Sequence, residues 1–201
     1  MILESILTTR SLDGSLNIAP MGVICERDSL ERFELRPFCE TTTFENLSER
    51  KCGVVNVTDD VLLFAQAVTG NLPDSLDIRH GDQVDCSWLG SACRIHEFEV
   101  THIVACGMRA AVQCRTVATC RNREFFGFNR AMGQIIEGAI LATRRHMIPA
   151  DEIRQRLEEI GKVVEKTGGE RERQAYELIC RFALNPASAP SGSRMAPEQH
   201  A

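Results

Sequence analysis

Lysine is nearly missing from this chain of 201 residues: it stands only at Lys51, Lys162 and Lys166, and the rest of the positive charge is Arg, scattered rather than massed. With a formal net charge of -5 there is no concentrated basic surface to neutralise phosphates, which excludes a nucleic-acid partner. Long hydrophobic runs are absent too. None approaches the roughly 20 residues that span a bilayer, so no membrane association and a soluble protein are expected. The start, Met1-Ile2-Leu3-Glu4-Ser5, lacks the basic-then-apolar layout of a signal peptide. Cysteine is plentiful at nine, but the number is odd and no Cys-x-x-Cys occurs, which points to the reducing cytoplasm rather than to a disulfide framework. Cys86 and Cys93, or Cys114 and Cys120, combined with His96 and His102, match no spacing that closes a tetrahedral zinc site, so no metal is expected. Free Cys of this kind reads as a small buried hydrophobe.

The hydrophobic content of 43% is enough for a core. Up to about Arg121 the sequence reads as short strands with turn punctuation, and from Phe128 to Ala183 as helices, which is α+β order rather than a parallel doubly wound sheet. Strands are expected over residues 2–9, 18–25, 32–35, 53–57, 83–89, 92–106 and 108–120, with turns at Asp13-Gly14 and Cys106-Gly107. Such a series suits a small antiparallel barrel or sandwich. Thr58-Asp59-Asp60 caps a short helix through Val61, Phe64, Ala65 and Val68 that Gly70 ends. Asn129 caps a longer helix with Met132, Ile135, Ile136, Ala139, Ile140 and Thr143 in one stripe. A helix over 150–166 turns Ile153, Leu157, Ile160 and Val164 inward, and after Gly168-Gly169 a last one buries Ala175, Leu178, Ile179 and Phe182. The division expected is residues 1–126 as a β domain, 127–184 as helices packing on the barrel or its dimer, and 185–201, rich in Pro, Ser and Ala without periodicity, as a disordered tail.

Three constellations could carry chemistry, each with polar, Gly or Pro residues directly beside a strand. In Asn17-Ile18-Ala19-Pro20-Met21-Gly22-Val23, Pro20 lacks an N–H and Gly22 a side chain, so a flat ring can lie against the backbone; an edge strand with a bulge accounts for the same residues. In the stretch from Arg36 to Leu47, Thr41, Thr42 and Thr43, the Arg36 guanidinium and loop N–H groups offer what a phosphate needs. An ordinary loop with its Thr residues bonded to turn backbone, and Asn46 as a cap, fits equally. In Val54-Val55-Asn56-Val57-Thr58, Asn56 interrupts an apolar series and must find a partner in backbone or ligand. His96 and His102 read as packed or solvent-facing, and Trp88 as a core or interface anchor.

Asn17-x-Ala19-Pro20-Met21-Gly22, Thr41-Thr42-Thr43-x-x-Asn46-Leu47, Val54-Val55-Asn56-x-Thr58-Asp59-Asp60, Gly127-Phe128-Asn129-Arg130-Ala131 and Ile136-Glu137-Gly138-Ala139, in that order, resemble the domain-of-unknown-function 447 family. That family is similar to the FMN-binding split-barrel superfamily of flavin reductase-like proteins. The resemblance implies a six-stranded split barrel acting as a homodimer, one FMN per protomer near the interface, and C-terminal helices peculiar to this branch. It puts Asn17, Ala19, Pro20, Met21, Gly22 and Val23 along the isoalloxazine; Arg36, Thr41, Thr42 and Thr43 at the phosphate; Asn46 in the adjoining loop; and Asn56 with Thr58 at the ribityl chain or ring edge. Asn129 and Arg130, at a helix N-terminus, reach the phosphate of the same or partner subunit, unless they are a plain cap and a surface Arg. The activity implied is an FMN-dependent oxidoreductase with no separate catalytic acid or base. The alternatives are a non-catalytic carrier of FMN, deazaflavin or a pterin-like cofactor near one-carbon metabolism, and an interaction module with an empty pocket.

Overall fold

A computed structural model of the chain describes residues 1–185 and 194–195. Its elements run β1 (Ile2–Arg10), β2 (Leu16–Cys25), β3 (Arg32–Leu35), α1 (Thr42–Arg50), β4 (Cys52–Val57), α2 (Val61–Thr69), β5 (Ile78–His80), β6 (Ser87–Leu89), β7 (Arg94–Cys106), β8 (Arg109–Arg121), α3 (Arg130–Thr143), α4 (Ala150–Thr167), α5 (Glu170–Leu184) and β9 (Arg194–Met195). Contacts group them into two compact units. One holds Met1–Thr58, Ser75–Phe125 and β9; the other holds Asp59–Asp74 and residues 126–185. The boundary is therefore discontinuous: α2, embedded in the β region of the sequence, joins the helical unit.

The first unit is the expected antiparallel split barrel. Six strands follow one another in the order β1-β4-β7-β8-β3-β2, and β2 returns to β1 to close the ring. Alternation along the strands turns Leu7, Val23, Leu35, Val55, Phe98 and Val112 into one buried core. Phe33 meets Phe98 edge-on at 5.3 Å. Each such side chain contributes about 1.5–3 kcal/mol by leaving water. The β7–β8 reversal uses Gly107 at φ +67°, with Cys106 paired to Arg109, as a two-residue hairpin loop requires.

Two expectations are corrected. Residues 36–47 read as a loop, but 42–50 form α1: Thr41 caps it by accepting from the Phe44 N–H at 3.3 Å, and Phe44 and Leu47 pack against the barrel core. Three successive β-branched Thr residues masked a helix that tertiary burial supports. The strand expected over 83–89 shrinks to β6. The reason is Glu97, buried on β7, whose carboxylate accepts the backbone N–H groups of Asp82, Gln83 and Val84 at 2.9, 2.7 and 2.9 Å, so a side chain replaces a ladder.

In the helical unit α2, α3, α4 and α5 enclose a separate core. Ile153, Leu157, Ile160 and Val164 are all buried, as their spacing requires, as are Ala175, Ile179 and Phe182; Leu178 is partly buried against the same core. On α3 the buried stripe is rotated from the expected one and built of small residues, Ala131, Gly138, Ala139 and Ala142 around Ile135. A Cβ on Gly138 would stand 3.4 Å from Ile160 Cδ1, so the small stripe permits close helix contact. The disorder expected for 185–201 falls mostly on residues outside those described; Arg194–Met195 pair with Leu16 and Asn17.

Gly53 on β4 lies opposite Phe98, and a Cβ there would meet the Phe98 ring at 2.8 Å and the Thr8 carbonyl oxygen at 2.9 Å. Gly53→Ala is expected to destabilise the barrel by about 1–3 kcal/mol in urea unfolding, the cost of overpacking; an unchanged or raised midpoint would contradict this packing.

Candidate functional site

Strand β2 is bonded to β1 along its whole length, from Ile2↔Ile24 to Arg10↔Leu16. Its other edge is covered only in part: β3 pairs with Val23, Ile24 and Cys25, and β9 with Leu16 and Asn17. Between these, residues 19–22 carry no strand among the described residues, and their outward backbone groups are left for another partner. Facing them runs the segment of residues 36–42. The opening is pinned at one end by the Val23↔Leu35 pair and at the other by the Asn17 amide, which donates to Thr43 Oγ1 at 3.0 Å. The fold thus brings Val23 to Leu35 and Asn17 to Thr43, with Ala19, Pro20, Met21 and Gly22 on one connecting stretch and Arg36, Thr41 and Thr42 on the other.

The far rim is held firmly. Pro37 O accepts from Ala110 N–H, Phe38 bridges to Arg109, whose guanidinium lies 3.9 Å over the Phe38 ring, and Arg109 donates to Arg36 O at 2.8 Å. Thr41 and Arg36 are exposed, and Thr42 is half-buried in the first turn of α1, whose leading N–H groups lack intrahelical acceptors. Arg36 uses Nε to reach Glu34 at 2.5 Å, leaving both Nη groups. Asn17, Thr43 and Asn46 are buried instead. Asn17 and Asn46 both donate to Thr9 Oγ1, at 3.2 and 3.0 Å, while Asn46 Oδ1 has no partner in a buried position.

The other proposed ligands have partners or places of their own. Asn56 is buried in β4, donating to Ile6 O, Thr8 Oγ1 and Val54 O at 3.0–3.2 Å and accepting from Leu89 N–H at 2.8 Å. Its side chain thereby fastens β6 to the barrel. Thr58 lies at the end of β4, half-buried. Asn129 and Arg130 belong to the helical unit, where Asn129 caps α3 through Ala131 N–H and donates to Thr167 O at 2.8 Å, and Arg130 is exposed.

The family models for protein of unknown function (DUF447) match this chain in two parts, the N-terminal domain over residues 3–123 and the C-terminal part over 129–181. The chain belongs to the DUF447 family. A solved structure of the same family, an FMN-bound protein of Methanosarcina mazei, is 24% identical, covers 90% of this chain and 94% of its own, and superposes with a TM-score of 0.77. Component B of nitrilotriacetate monooxygenase from Bacillus cereus is 16% identical over 66% of this chain and 77% of its own, at 0.51. An NADH:FAD oxidoreductase of Streptomyces globisporus is 11% identical over 60% and 75%, at 0.50. The likeness of these three is one of fold.

This DUF447 protein has a second concavity that the sequence reading missed, a cleft of about 550 Å³ where β1, β4, β7 and β8 end. Leu3, Val57 and Leu30 form apolar wall, and Arg94, His96 and Arg121 polar wall. No motif announces it, since its residues come from five separate segments. His96, one of the two histidines singled out, is buried here and its Nδ1 lies 3.1 Å from the Thr119 hydroxyl, whereas His102 is exposed, because the bulges at Glu97/Phe98 and Val100/His102 interrupt strict alternation. Among the described residues no group of three or more His, Cys, Asp or Glu could hold a metal.

Burial, with help from Arg94, lowers the His96 pKa from 6.5 to about 4. The unfolded chain therefore binds a proton between pH 6.5 and 4 that the folded chain refuses, so stability is full above 6.5 and falls as pH drops through that window. Between pH 7 and 5 this amounts to roughly 1–2 kcal/mol. His96→Gln should flatten that part of the stability-against-pH curve in urea titrations; an equal slope in both proteins would refute the buried neutral imidazole.

Proposed function

We propose that this chain is an FMN-binding flavoprotein whose cofactor lies in the opening between β2 and α1, and that it acts as an oxidoreductase in the form of a homodimer. The observation that carries the reading is a strand edge that neither β3 nor β9 covers, bounded by the Val23↔Leu35 pair and the Asn17–Thr43 bond, between which the chain runs through Arg36 into the N-terminus of α1. An isoalloxazine is flat and carries hydrogen-bonding groups along its edge. Residues 19–22 offer backbone N–H and C=O groups with small side chains at Ala19 and Gly22 and one N–H removed at Pro20. The phosphate of FMN suits the first turn of α1, where uncompensated N–H groups and the positive dipole end meet the Arg36 guanidinium. The orphaned Asn46 Oδ1 is an acceptor that a polyol chain, with its hydroxyl donors, would satisfy.

Bound FMN would supply hydride and single-electron transfer. The chain's own part is to orient the ring against β2, hold the phosphate and keep water from the buried Thr9–Asn17–Asn46 side. The FMN carried by the Methanosarcina mazei protein, and the oxidoreductase activity named for the Streptomyces globisporus protein, support the reading. The homodimer is supported by apolar exposure beside the gap: Phe38 and Val104 are each 45% exposed and Met108 78%, around the β7–β8 hairpin tip. A second copy covering them would also enclose the cofactor.

After reconstitution with FMN and desalting, the protein should retain flavin absorbance near one equivalent per chain; complete loss of the flavin bands would end the FMN assignment. Arg36→Gln is expected to raise the FMN Kd about tenfold, the effect of one charge-assisted hydrogen bond. In sedimentation velocity the protein should run as a dimer and Met108→Lys should shift it toward monomer. A monomer at every concentration, with FMN bound, would remove the dimer and keep the cofactor.

A further inference from the structure

The cleft at the barrel mouth is apart from the opening just assigned to FMN. It touches β2 only at Cys25, beyond residues 19–22, and nothing in the flavin reading uses it. Its volume of about 550 Å³ falls within the range of small-molecule sites, roughly 300–1,000 Å³. One part of the wall is apolar, from Leu3, Leu30 and Val57. Another carries Arg94 and Arg121, which are direct cross-strand partners on β7 and β8. Two like charges placed opposite each other on a sheet repel. Arg121 is relieved by an ion pair with Glu124. Arg94 has no carboxylate partner among the described residues.

We propose that this cleft is a second binding site, for a small organic monoanion with a flat apolar body, an aromatic carboxylate in chemical class. The carboxylate sits at the exposed Arg94, supplying the counter-charge that Glu124 gives Arg121 and that Arg94 lacks, and the ring lies against Leu3, Leu30 and Val57. His96, buried beside Arg94 and held by Thr119, contributes a hydrogen bond without adding charge. Glu26 and Asp28 also line the cleft and disfavour a second negative charge on the ligand. The apolar wall in turn disfavours a bare inorganic anion, which would lose hydration there with too few donors to replace it.

The test is a titration of the FMN-reconstituted full chain with benzoate, followed in two-dimensional amide NMR, with benzamide as the uncharged match. Benzoate should move the amide signals of Leu3, Val57 and Arg94, and benzamide should bind about tenfold more weakly or not at all. Arg94→Gln should weaken benzoate by about tenfold. Arg115→Gln, which alters an exposed Arg paired with Glu99 elsewhere on β8, should leave it unchanged. Equal binding of benzamide, unaltered binding in Arg94→Gln, or no shift at these amides up to tens of millimolar would each overturn the proposal. So would competition by added FMN for the same amides, which would make the cleft the flavin site and relocate the cofactor instead.

Discussion

One hydroxyl holds the barrel's turn end together. Thr9 Oγ1, fully buried, accepts from the amides of both Asn17 and Asn46, and Asn17 extends the chain of bonds to Thr43. Two segments distant in sequence, the β1–β2 hairpin and the first half of α1, are thereby locked at one point. Buried polar groups bonded in this way impose a single arrangement, because any other leaves a donor or acceptor unpaired at a cost of about 1–3 kcal/mol. With Leu47 and Phe44 packed against the core beside this knot, α1 has one place to sit.

The position of α1 decides the shape of the opening. Strand β3 leaves β2 after three paired residues, and the chain must travel from Leu35 to the anchored Thr43 while residues 19–22 pair with neither β3 nor β9. An exposed strand edge is ordinarily protected by charge, bulge or a covering element, since it invites pairing with other chains. Here the gap is too short for a strand and is flanked by a helix N-terminus and an arginine. Those are the features that suit a flat, hydrogen-bonding, phosphate-bearing molecule.

The barrel also shows how a polar residue inside an apolar series serves the backbone rather than a ligand. Asn56 is saturated by Ile6, Thr8, Val54 and Leu89, and Glu97 by three consecutive N–H groups, so both spend their capacity on fastening irregular chain to the sheet. Asn46 differs by a single atom, its Oδ1, which is buried with nothing to bond. A leftover group of this kind is more informative about binding than a polar residue as such.

Strand order, the two turns, the caps at Asp60 and Asn129 and the inward faces of α4 and α5 were legible in the sequence, because alternation, helical spacing and Gly at positive φ are local properties. The residues proposed for the β2 opening stood out there first as separate blocks and then as an ordered resemblance. Helix α1 was not legible, since Thr41, Thr42 and Thr43 have weak helix preference and only burial of Leu47 and the bond to Asn17 favour the helix. The membership of α2 in the helical unit, the pairing of β1 with β4 and of β3 with β8, and the cleft beside Arg94 depend on contacts between distant segments. Periodicity reports which face of an element is apolar; which other face covers it, and where an edge is left bare, is settled only when the whole chain packs.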